Sequence, residues 1–188
     1  MLDKAAGGGH HTGGGDDAGS AFPGVLAMNP ALYTASVPVF RHYLARVQGM
    51  VELAGPALLG ARVADAFPAG RQFSTAAGFA LRVACPLAGR EVPDMPQALA
   101  PRLAVVRATL GAMRADEFLG AEARRIRHRA GFAELEQGGE EFLYLYGLPN
   151  FFFHVTMGYA ALRGAGLPLG KADFDGLHQY PEDFRFDP

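Results

Sequence analysis

The chain of 188 residues has a single cysteine, Cys85. One thiol excludes an internal disulfide and any zinc site built from several cysteines, and it suits a reducing compartment, so the cytoplasm is the expected location. Positive charge is not in surplus either: 17 basic residues stand against 19 acidic ones, a formal net charge of −2. Proteins that grip nucleic acid through its phosphates carry a basic excess, so that class of partner is set aside. A secretory signal is missing, because glycine and polar residues follow Lys4 where an apolar stretch would be needed.

The signatures of several large enzyme classes are missing too. The sequence has no G-x-G-x-x-G after a strand, no phosphate loop ending in Gly-Lys-Ser/Thr, no H-E-x-x-H and no G-x-S-x-G. The glycine runs at 7–9 and 13–15 are not phosphate cradles, since no strand feeds them and no helix follows directly. A di-iron bundle needs Glu-x-x-His on two helices. Here Phe151 stands three before His154, and Val39 three before His42.

What is present fits one domain. Hydrophobic residues make up 49% of the chain, enough for a single core at this length. Residues 1–28, including "AAGGGHHTGGGDDAGS", bury almost nothing and are read as a disordered extension. His10 and His11 within it form only a loose pair for a metal ion. Met28 is a candidate true start, which would make the residues before it a foreign leader. The domain is placed at residues 29–176 and a C-terminal tail at 177–188.

Four helical segments follow from periodicity and from glycine and proline punctuation. The first carries Phe40, Tyr43, Leu44, Val47 and Val51 on one stripe, with Ser36 as its cap, Pro38 in its first turn and Gly55-Pro56 at its end. The second starts at Pro68 and presents Phe73, Ala76, Ala77, Ala80, Leu81 and Ala84, with Pro86 breaking or kinking it near the end. The third starts near Met95-Pro96. Its seam is Leu99, Leu103, Val106, Leu110 and Met113, and Pro101 is able to displace the start. The fourth runs from about Glu140 to Arg163, stopped by Gly164, Gly166 and Pro168. Pro149 inside it predicts a kink or break at Gly147-Leu148.

Between the third and fourth helices, "AEARRIRHRAGFAELEQGG" alternates with a period near two. It is read as a short hairpin turning at Ala130-Gly131, its arginines solvated and offset by Glu134 and Glu136 rather than set out to hold an anion. The sum is an all-α four-helix bundle with a hairpin insertion before the last helix. Residues 142–162 contain no charged side chain and are long enough to span a bilayer, but Pro149, Asn150, His154 and Thr156 interrupt them. A buried bundle helix is the expectation.

Polar residues set in apolar helices mark the candidate pocket: Arg71, Gln72, Asn150, His154 and Tyr159. His42 and His154 would make a metal site only if Glu140, Glu141 or Asp65 joined them. The plainer expectation is a surface His42 and a buried, neutral, hydrogen-bonded His154. Cys85 is read as a small buried apolar residue.

Three stretches carry a resemblance: "LYTASVPVFRHYL" at 32–44, "FPAGRQF" at 67–73 and "LPNFFFHVTMGYAALRGAGLPLGKADF" at 148–174. They resemble an uncharacterised bacterial domain-of-unknown-function family, DUF1993, which is similar to the DinB/YfiT-like four-helix bundles. The resemblance implies an up-down-down-up bundle, often a homodimer. Many DinB-like proteins hold a divalent metal such as zinc or nickel on three histidines, one on the second helix and two on the last, and some are thiol-dependent transferases or hydrolases. Here His154 falls near one last-helix ligand. The second-helix ligand falls near Arg71 or Gln72, and the remaining one near Asn150, Thr156 or Gly158. With one imidazole of three, no cofactor is expected, and the function implied is a small-molecule or protein-binding bundle. The alternative is a metal-dependent enzyme, or an acid/base enzyme using His154.

Overall fold

Phe40, Leu44 and Val47 are wholly removed from solvent, and the helix that carries them is the first of the bundle. The computed structural model of the chain describes residues 29–181; the extension read over 1–28, with its histidines and Met28, lies outside them, as do residues 182–188 of the tail. A single turn, α1 (Ala31–Thr34), leads into α2 (Val37–Leu58). Ser36 does not cap α2 with its side chain: the hydroxyl is buried and donates back to the Leu32 carbonyl, closing α1 instead. Pro38 lies in the first turn of α2. Gly55, at φ +56, interrupts the helical course, and Pro56 starts a last turn beyond it.

Pro68 precedes α3 (Ala69–Leu87), whose alanine-rich face is wholly buried. The helix passes Pro86 and ends at Leu87. Gly89 at φ +70 then turns the chain so that the Arg90 N–H reaches the Cys85 carbonyl at 2.8 Å. The next helix, α4 (Leu99–Gly111), starts later than Met95-Pro96. Met95 precedes a proline and is disfavoured in helical geometry, and Pro101 lacks a backbone donor, which costs nothing only in a first turn. Two short 3₁₀ turns, Ala115–Phe118 and Ala121–Ala123, lead to the hairpin.

Strands β1 (Arg125–Ala130) and β2 (Ala133–Gly138) pair antiparallel, with Arg127 opposite Glu136 and Arg129 opposite Glu134. Gly131, at φ +62, takes the first place in the two-residue turn, a position that favours glycine. Arg125 and Arg127 both bond Glu136, at 3.1 and 2.7 Å, and Arg129 lies 3.4 Å from Glu134. Three of the four arginines in the run thus pair with glutamates across the hairpin, two of them sharing Glu136.

The last bundle helix begins as α5 (Gly139–Glu141), widens to a π-helical stretch at Phe142–Gly147 and continues as α6 (Leu148–Gly164). The helix runs through Gly147-Leu148 without a break, both residues keeping helical dihedrals, and the disturbance that Pro149 predicts takes the form of the π-helical stretch just before it. The widened turn makes room for the Pro149 ring, and the Asn150 side-chain amide donates to the Tyr146 carbonyl at 2.8 Å. A short α7 (Lys171–Asp175) closes back onto α2.

The bundle is therefore α2, α3, α4 and the α5–α6 helix, with α3 against α6 as its most extensive contact. That contact is close because Gly158 has no side chain: a Cβ there would come within 2.4 Å of the Phe73 ring. Phe142, Leu143, Phe151, Val155, Ala161 and Leu162, all from the uncharged 142–162 window, lie in the core. Among the described residues no helix is long and apolar enough to cross a membrane.

Candidate functional site

Gln72 lies in the first turns of α3 and is almost wholly buried, 2% exposed. Its side-chain Nε2 donates to the Phe67 carbonyl at 3.4 Å, which turns Oε1 toward α6. There His154 Nδ1 stands 2.7 Å away. A carbonyl oxygen can only accept, so the imidazole carries its proton on Nδ1 and leaves Nε2 as an acceptor. The His154 ring stacks on Phe79, centroids 5.5 Å apart at 24°. Phe79 also carries the Arg82 guanidinium, 4.1 Å from its centroid. Burial first, and then the Arg82 charge, push the His154 pKa below its ordinary value, so the ring is neutral near pH 7.

The other candidate residues, Arg71, Asn150 and Tyr159, engage other partners. Arg71 is exposed and lies over the Phe67 ring at 5.6 Å. The Asn150 amide is engaged with the Tyr146 carbonyl. Tyr159 is five positions beyond His154, roughly 140° around the helix. Its ring meets Phe174 of α7 at 5.5 Å, and its hydroxyl accepts from Arg163 at 3.3 Å.

His42 is exposed on α2, and its Nε2–H donates to the Asp175 carbonyl at 2.6 Å. Glu140, Glu141 and Asp65 are exposed as well. Among the described residues no group of three His, Cys, Asp or Glu side chains is gathered to hold a metal ion. The three-histidine site implied by the resemblance does not fit these residues. Near the second-helix position stand Arg71, which is exposed, and Gln72, which holds His154, and the Asn150 amide is engaged elsewhere. Cys85 is fully buried, and burial pushes its thiol up to about 11.

Two features escaped the sequence. Asp175 is buried and accepts from the backbone N–H groups of Leu177 and His178, at 2.8 and 3.1 Å, while its other oxygen takes His178 Nδ1. Those hydrogen bonds hold its carboxyl below the usual range. The closely spaced Asp175-x-x-His178 pair was the available signal. The second is a groove of about 830 Å³ between α2 and α4, away from His154, for which no sequence signal exists.

The helical bundle with a hairpin before its last helix has the DinB-like fold. A crystal structure of a DinB family member protein from Shewanella denitrificans is similar over 80% of this chain and 94% of that one, with 26% identity and a TM-score of 0.67. Residues 32–175 match the family described as "Domain of unknown function (DUF1993)", and the chain belongs to that family. No curated protein matches it.

Proposed function

We propose that the protein is a binding bundle for a small molecule or a protein, acting in the cytoplasm as a homodimer and without a complete metal site. The hydrogen bond between Gln72 and His154 carries this reading. In the metal-dependent pattern the corresponding side chains point their lone pairs at a common ion. Here one of them donates to the other, so Gln72 Oε1 and His154 Nδ1 are engaged with each other and only the Nε2 lone pair of His154 stays free. The net charge of −2 and the ion-paired arginines of the hairpin favour partners other than nucleic acid.

Metal analysis of protein purified without a histidine tag tests the reading, alongside His154→Ala and a variant lacking residues 1–27. The expected content is far below one ion per chain. Stoichiometric zinc, nickel or iron that is lost in His154→Ala, yet kept without residues 1–27, would contradict it.

A second reading has one observation in its favour. A neutral imidazole fixed through Nδ1, with Nε2 unspent, has the form of a general base. A hydrolytic or transfer activity that is lost in His154→Ala and falls as the ring becomes protonated would replace binding with catalysis.

A further inference from the structure

We propose that the groove between α2 and α4 binds a single-chain amphiphile with an anionic head, of the medium-chain carboxylate class. The groove encloses about 830 Å³, within the size range of small-molecule sites. Its apolar lining comes from both helices: Ala45 and Val51 from α2, Leu103 and Ala104 from α4. Leu103 is nearly wholly buried and forms the recessed base, while Ala104 is exposed at the rim.

Its edges carry two arginines, Arg41 and Arg107, against one acid, Glu52, so the balance of charge there is positive. Arg107 reaches from α4 to donate to Gln48 Oε1 on α2, while Gln48 Nε2 donates to Glu52 Oε1 at 2.9 Å. The glutamine thus stands between acid and guanidinium. Arg107 is fixed in direction and, among the described residues, forms no ion pair. The Arg41 side chain, also lining the groove, has neither a hydrogen bond nor an ion pair among the described residues. A guanidinium has five donors in a planar fork that matches a carboxylate. Two such cations beside an apolar floor call for an anionic head on an apolar body. The recessed floor favours a free chain, which can enter between two helices, over a bilayer surface, which cannot.

This inference extends the binding reading but rests on a separate cavity, and a metal at Gln72 and His154 would leave it standing. The test is calorimetric titration of decanoate into the full chain, freed of lipid and detergent. Arg107→Gln, Ala104→Trp and His154→Ala serve as variants, each checked by circular dichroism; Arg107 and Ala104 are exposed, so both changes are expected to leave the chain folded. The expected result is saturable binding that His154→Ala leaves unchanged. Arg107→Gln weakens it by about tenfold, the loss of one charge-assisted contact, and Ala104→Trp, which fills the groove, abolishes it. Decanol binds more weakly than decanoate, and phosphatidylglycerol vesicles do not bind. No saturable binding, equal binding by all variants, or loss in His154→Ala alone would overturn the proposal. So would vesicle binding that depends on Arg107, or a dimer that Ala104→Trp dissociates and decanoate does not compete with.

Discussion

Gln72 and His154 lie 82 positions apart and meet at 2.7 Å, the glutamine on α3 accepting from the histidine on α6. The bond joins the two helices with the most extensive mutual contact, beside the point where Gly158 lets Phe73 close against α6. It satisfies a nearly buried amide oxygen and fixes the tautomer of a half-buried ring.

Replacing Gln72 by Leu removes the acceptor and leaves the Nδ1–H unpaired in a partly dry setting. Stability is expected to fall by about 1–3 kcal/mol, the cost of an orphaned polar group. Urea denaturation measures it. The double variant Gln72→Leu, His154→Leu should recover part of the loss, because neither polar group then remains; additive losses would mean that the two side chains do not interact.

The pH dependence follows from the lowered pKa of His154. Its value in the unfolded chain is the ordinary 6.5, and in the folded protein it is lower. Between the two, the unfolded state binds more protons, so stability rises with pH in that window. The contribution is complete above pH 6.5 and is lost as pH falls through the folded value. Replacing His154 by Gln should flatten this part of the stability profile. A slope of opposite sign would place the ring near a carboxylate instead.

Two glycines of α6 predict opposite outcomes. A Cβ at Gly158 would stand 2.4 Å from the Phe73 ring, whereas one at Gly164 meets nothing within 4 Å. Gly158→Ala is expected to cost about 1–3 kcal/mol through overpacking. Gly164→Ala should be neutral or slightly stabilising, since alanine favours the helix. Thermal melts of the two variants compare them directly.

Cys85 is buried, with its thiol pushed up to about 11. It should resist an aromatic disulfide reagent at pH 8 in the native protein and react at once in denaturant. Rapid labelling of the folded chain would mean that the end of α3 opens readily.

Much of the bundle was legible because its signals are local. The stripe Phe40, Leu44, Val47 and the seam Leu103, Val106, Leu110 follow helical spacing, and all six residues are buried. Gly131 marked the hairpin turn, and Gly55 the interruption of α2. The errors arose where the outcome depends on a hydrogen-bond partner elsewhere. Ser36 has the composition of a cap, yet its hydroxyl turned back to Leu32. Pro149 marked a disturbance of the last helix, but its form, a π turn over Phe142–Gly147, is a change of one step in hydrogen-bond register that leaves no mark in composition.

The site was legible only as residue types. Gln72 and His154 are both polar groups in apolar helices, but which of them face each other depends on the rotation of α3 and α6 about their axes. The same rotation sends Tyr159 toward Phe174. Asp175 and His178, and the groove facing Arg41 and Arg107, depend on where α7 and α4 settle against α2. Spacing along the chain cannot supply that.

The most direct test of the central claim is nitrogen-15 spectroscopy of the His154 imidazole near neutral pH, with and without added zinc. The account predicts a neutral ring protonated at Nδ1, altered by Gln72→Leu and unmoved by one equivalent of zinc. A ring protonated at Nε2, or a stoichiometric zinc-induced shift of its nitrogens, would contradict it.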